Sequence, residues 1–183
     1  HIVADGFTYY ELMNSLSDDN PIPVFDVKRK FGMEKKMSEL VGAKQYKFGL
    51  SLSLTLNVLK GMVIGKKTKC YAFYIDQEKI QQAKNKLNEP SSFVSTNDIL
   101  TSSFSNAVGA RLSMMAINFR NRIDNLSNSD AGNYEGVLLY DKKNYSNPLG
   151  IRKSLQSGSP MKTTSDEMPG FLETIGSKFA QTT

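Results

Sequence analysis

The sequence predicts an α/β or α+β domain, a two-layer arrangement in which a mixed β-sheet is covered by helices. Apolar residues alternate along the chain between a period of two, which suits a half-buried strand, and a three-and-four spacing that gives a helix one apolar face. Pro, Gly, Asn and Asp gather between those stretches, where turns and caps need them. With 183 residues the chain has material for one ordinary core and too little for a two-domain enzyme, so residues 1–183 are read as a single domain.

Taken in order, Phe7 to Leu16 places Tyr9, Leu12, Met13 and Leu16 on one face of an amphipathic helix that ends at Ser17-Asp18-Asp19-Asn20-Pro21. Pro21 and Pro23 then force an extended stretch, and Met33 to Gly65 reads as unresolved helix and loop. Lys69 to Ile75 (KCYAFYI) has the aromatic profile of a strand buried on at least one face. Asp76 can cap the helix Gln77 to Leu87, which stops before Asn88-Glu89-Pro90. A second helix follows, with Thr96 as N-cap, Asp98 near its positive end, Ile99, Leu100, Phe104, Ala107 and Val108 as its buried face, and Gly109 as its stop. Arg111 to Arg120 and Gly136 to Tyr140 read as strands flanking a polar loop, Asp124 to Asn133. Pro148 opens a helix through Leu155, and Phe171, Leu172, Ile175 and Phe179 propose a last one. The strands near 69–75, 111–120 and 136–140 are expected in one sheet covered by the helices at 77–87 and 97–109.

Hydrophobic residues at 39% and charged residues at 22% are a composition that folds. The net charge of +5 suits anionic ligands, but Lys and Arg are scattered, which favours a solvated basic face over a nucleic-acid surface. The single Cys70 excludes an internal disulfide and a thiolate metal cluster. It is expected as a buried apolar residue, and a reducing, cytoplasmic setting is the default. The apolar run Tyr46 to Gly65 is interrupted by Lys47, Asn57 and Lys60 and falls short of a spanning helix, so the chain is read as soluble or peripheral, with membrane association left open but not indicated. Because the chain opens on His1 with no initiator Met, an upstream segment is expected to be missing.

The chemistry starts at His1-Ile2-Val3-Ala4-Asp5-Gly6. A neutral imidazole, with an ordinary pKa of about 6.5, can take the proton of a hydroxyl or amine as it attacks a carbonyl. The plain alternative is an exposed terminal residue. The string resembles the HxxxDG signature of the chloramphenicol-acetyltransferase-like acyltransferases. Further segments are similar to that superfamily in the same order. Cys70 to Leu87 resembles its strand running into a helix, and Ser95 to Leu100 (STNDIL) resembles the "VND(V/L)L" helix start of wax ester synthase and diacylglycerol acyltransferase relatives and the equivalent helix of BAHD acyltransferases. Ile117-Asn118-Phe119-Arg120 is similar to the "(V/D).(F/L)R" strand end, Gly132-Asn133 to the "GN" after it, and Asn147 to Leu155 to the helix carrying "IR.A(I/L)". The DFGWG segment of BAHD enzymes is not found, and the usual motif begins with a second histidine ahead of the position His1 occupies.

The resemblance implies the C-terminal half of such an enzyme, truncated at its N-terminus and at its C-terminus, inactive alone, and partnered by the missing N-terminal half. It implies acyl transfer to a small-molecule hydroxyl acceptor, with acyl-CoA or a carrier-protein thioester as donor, no bound cofactor and no metal. His1 would be the general base. Asp5 would turn away from substrate to pair with an arginine, and Gly6 would allow a tight exit into the helix. Arg120, at a strand end, is the first choice of partner among Arg111, Arg120, Arg122 and Arg152, although each could equally be a surface cation. Asn97, Asp98 and Asn133 are carried as site-lining residues, against the plain readings of helix caps and a turn. Two alternatives stay open: a condensation-type domain joining amine to thioester, and a degenerate relative serving as a scaffold.

Overall fold

The computed structural model describes residues 4–17, 23–65, 67, 69–87, 93–156 and 168–182. Nine helices and three strands occur among these residues: α1 (Gly6–Asn14), α2 (Met33–Val41), α3 (Ala43–Gly49), α4 (Leu52–Ile64), α5 (Gln77–Leu87), α6 (Thr96–Val108), β1 (Leu112–Asn118), β2 (Glu135–Tyr140), α7 (Lys142–Tyr145), α8 (Pro148–Gln156), α9 (Phe171–Gly176) and β3 (Phe179–Thr182). The class is α+β, with a mixed sheet in the order β2-β1-β3. β1 runs antiparallel to β2, pairing Ser113 with Tyr140 and Ile117 with Gly136, and parallel to β3, pairing Leu112 with Phe179.

Side chains alternate across β1, which gives the sheet two apolar faces. Met115, Ile117 and Phe119 join Leu138, Tyr140, Tyr145 and Ile151 in the main core, to which α2 adds Met37, Leu40 and Val41. Leu112 and Leu139 point the other way, against Phe48 of α3. Residues as closed off as Leu138 and Ile151 each contribute roughly 1.5–3 kcal/mol through apolar burial. A third cluster, Ile80, Val94 and Ile99, joins α5 to α6.

Several expectations need correction. Residues 69–75 form no strand: Tyr71, Phe73 and Tyr74 are exposed, and Tyr74 is fully so. Aromatic strand propensity reflects packing on a half-buried surface, and among the described residues no such surface covers this stretch. Cys70 is accordingly exposed, not buried. The apolar stripe of α1 also faces outward, with Tyr9, Leu12, Met13 and Leu16 exposed and Thr8 buried in their place.

In α6 the N-cap is Ser95, one residue before Thr96, because Ser95 and Asp98 form a capping box. Its inward face is hydroxylic: Thr101, Ser102 and Ser105 are buried, while Phe104 and Ala107 are exposed. Ser105 Oγ donates to the Thr101 carbonyl at 2.6 Å and lies 2.7 Å from Ser113 Oγ of β1, so small polar side chains, satisfied locally, join helix to sheet. Phe179, expected on a helix, starts β3 instead. The unresolved region 33–65 is three helices, and α5 and α8 lie where the sequence places them.

Candidate functional site

The site is built around the turn that leads into α1. Asp5 is the N-cap of that helix, in extended conformation, and its Oδ1 accepts from the Thr8 N–H at 3.0 Å. The Asp5 N–H donates to the Gly132 carbonyl at 3.1 Å, which ties the turn to the loop before β2. Asp5 Oδ2 accepts twice, from Arg120 Nη1 at 2.7 Å and from the Tyr134 N–H at 2.8 Å. Both side chains of the Asp5–Arg120 ion pair are wholly buried.

Arg120 is fully employed. Nε donates to the Asp130 carbonyl at 2.9 Å, and Nη1 donates to Asp5 and to Asn118 Oδ1 at 3.1 Å. Nη2 donates to Thr8 Oγ1 at 2.9 Å and to the Gly132 carbonyl at 3.2 Å. These bonds occupy all the N–H groups a guanidinium has, and its faces lie against the rings of Phe7 and Tyr134, 4.7 and 5.2 Å from their centroids. A lysine would supply neither the fork nor the flat surface. Burial pulls the Asp5 carboxyl upward, but the hydrogen bonds from Arg120, Thr8 and Tyr134 outweigh it and hold the carboxyl below the ordinary carboxylate value. Asp5 is therefore a charged brace for the turn, with no lone pair directed at an open space.

The glycines work by close approach. A Cβ on Gly6 would stand 3.2 Å from Glu135 Oε1, an atom that also accepts from the Phe7 N–H. Gly132 has a φ of 148°, and a Cβ there would meet the Tyr134 ring at 2.9 Å. The loop is reinforced by Asp130, whose Oδ1 pairs with Lys30 Nζ at 2.8 Å and whose Oδ2 accepts from the Ser127 N–H at 2.6 Å. Residues on both sides of this contact open onto a cavity of about 700 Å³ lined by Lys30, Phe31, Met33, Met37, Asn133 and Tyr134, among others.

His1 lies outside the described residues. Asp5, Gly6 and Arg120 converge at the turn, and exposed Asn133 lines the adjoining cavity. Asn97 and Asp98 belong to a different arrangement at the start of α6. Asn97 Nδ2 reaches Met115 Sδ at 3.8 Å. Asp98 Oδ2 accepts from the Ser95 N–H at 2.7 Å and from Arg152 Nη2 at 2.5 Å, so its polar contacts serve the helix cap and α8. Arg111 pairs with Glu173 and Arg152 with Asp98, leaving Arg120 as the partner of Asp5.

Four contributors carried no role in the sequence reading: Thr8, Asn118, Asp130 and Tyr134. Two had a local signal. Thr8 stands three positions after an aspartate cap, and Asn118 ends β1 two positions before Arg120. No family model, curated protein or solved structure compared with the chain matches it.

Proposed function

We propose that this chain carries the general-base turn of an acyltransferase that moves an acyl group from acyl-CoA, or another thioester, to a hydroxyl acceptor. His1 takes the hydroxyl proton as the oxygen attacks the thioester carbonyl. The tetrahedral intermediate then collapses with loss of the C–S bond, and the imidazolium returns its proton to the departing thiolate. No acyl-enzyme and no metal enter this sequence. Asp5, Gly6 and Arg120 set the direction in which the histidine turn leaves α1.

The observation that supports this reading is the buried Asp5–Arg120 pair at the Asp5-Gly6 end of the HIVADG string, where α1 begins. An aspartate four positions after the histidine is bound by the helix start, an arginine and two backbone groups of a distant loop. That is far more restraint than an N-cap requires, and it suits a turn whose preceding residues must be presented at a fixed angle.

The test replaces His1 by alanine in the protein encoded by the complete reading frame and follows thiol release from acyl-CoA with a panel of alcohols and amines. Loss of a positioned base should lower the rate by about 10² to 10⁴. Equal turnover by the alanine variant on an accepted substrate overturns the reading. Turnover confined to amines would move it to the condensation class, and a folded protein with no turnover on any acceptor would favour a scaffold.

A further inference from the structure

Between Glu39 and Asp76 the chain has no carboxylate, and its only charged residues are six lysines: Lys44, Lys47, Lys60, Lys66, Lys67 and Lys69. Many of the exposed apolar side chains among the described residues lie in the same stretch. On α4, Met62 and Val63 are 77% and 80% exposed, and Val58, Leu59 and Ile64 are open as well. After α4 in sequence, the rings of Tyr71 and Phe73 stack with centroids 6.1 Å apart, both exposed. Beside α4, α9 exposes Phe171 and Leu172. Exposed apolar side chains grouped in this way on a folded domain suit an interaction site.

We propose that the outer side of α4, with the lysine-rich stretch that follows it, docks in the plane of an anionic lipid surface. The charge of the stretch from Lys44 to Lys69 is of one sign, interspersed along the sequence with apolar and aromatic residues, which is the composition an interfacial segment needs. The apolar groups enter the headgroup boundary, the tyrosine ring sits at headgroup level, and lysines meet acidic lipids. By length and composition alone, Ala43–Ile64 could cross a bilayer, against the sequence expectation. Its contacts favour lying on one instead. Phe48 is buried in the sheet core, and Gln45 Oε1 accepts from the Leu139 N–H. Asn57 Nδ2 reaches the carbonyls of Thr174, Ile175 and Ser177 at 2.9 to 3.1 Å, and Lys60 Nζ reaches that of Ile175 at 3.2 Å. With α3 and α4 both fastened to the domain along one side, only the other side is open to lipid. This inference is independent of the acyl-transfer reading, since it uses none of the residues of the Asp5 turn.

Flotation of the full chain with vesicles of phosphatidylcholine alone, and of phosphatidylcholine with phosphatidylserine, tests it. Binding should require the anionic lipid and weaken with salt. Lys67→Gln and Lys69→Gln should each lower partitioning about fivefold. Met62→Glu with Val63→Glu should lower it by about tenfold or more. Circular dichroism should leave all these variants folded, because the side chains are exposed. Failure of the wild type to float with anionic vesicles overturns the proposal, as does equal flotation of the Met62→Glu/Val63→Glu variant. A wild type that ignores vesicles but forms a dimer dispersed by that variant would assign the face to a second copy of the chain.

Discussion

Two buried aspartate–arginine pairs stand at two helix starts, and they differ in how completely they are satisfied. Asp5 caps α1 and pairs with Arg120 in full burial; both of its oxygens are engaged, and every donor of the arginine is used. Asp98 completes the capping box of α6 and pairs with Arg152, but its Oδ1 has no hydrogen-bond partner among the described residues, and Arg152 is 14% exposed with its guanidinium 4.4 Å from the Phe93 ring centroid. The second pair is a reinforced cap. The first is a junction at which an N-terminal turn, a strand end and a loop 115 or more residues away in sequence are fixed to one another. Similar chemistry therefore reinforces a cap and ties it to one other helix in one place, and fixes three segments to one another in the other.

The contrast predicts unequal costs. Arg120→Ala should show the largest loss, about 3–5 kcal/mol in urea unfolding, because it strands a buried carboxylate. Circular dichroism is the suitable probe, since the chain has no tryptophan. Arg120→Lys should recover only part, remaining about 1–3 kcal/mol below the wild type, because several acceptors stay unpaired. Arg152→Ala should cost less than Arg120→Ala, about 1–3 kcal/mol, since Asp98 keeps the Ser95 N–H and water can reach a partly open site. Equal losses for the two arginines would erase the distinction.

Acid sharpens the comparison. The folded Asp5 carboxyl lies below its ordinary value, so its contribution is fully present above about 3.9 and is lost as pH falls through the lowered folded value. The stability gap between wild type and Asp5→Asn should be widest near neutrality and close in strong acid. A gap that widens on acidification would contradict the pairing. Smallest of all, Ser95→Ala should cost about 1 kcal/mol by removing the α6 cap alone.

How far the sequence reveals these features depends on distance along the chain. Helix α5 is legible because Asp76, the apolar stripe and Asn88-Glu89-Pro90 are all local signals. The capping box at Ser95 and Asp98 is local too, and its spacing selects Ser95 over Thr96 as the cap. By contrast, 69–75 and β3 mislead because strand formation depends on a neighbour. KCYAFYI has the propensity without a partner strand among the described residues, and Phe179 gains one from β1 although its four-residue spacing from Ile175 imitates a helix. At the candidate site the Asp5–Arg120 pair is anticipated only through the family resemblance. Asp130 reaches Arg120 through its carbonyl and Tyr134 reaches Asp5 through its N–H, groups that the sequence does not distinguish, and the Tyr134 ring on Arg120 and the Asp130 carboxylate on Lys30 join residues whose spacing follows no local motif.

The length of chain between Asp5 and its partners also sets an order of assembly. During synthesis α1 leaves the ribosome before its partners do, yet at nine residues it is too short to persist alone. Its lock requires Arg120, Gly132 and Tyr134, which appear more than a hundred residues later. Closing so long a loop before any contact rewards it is slow, so the turn should dock after β1 and β2 have paired. The N–H groups of Thr8 and Tyr134, both bound to the same carboxylate, should then gain protection from hydrogen exchange in a single late step, making the candidate site one of the last parts of the domain to acquire its native geometry.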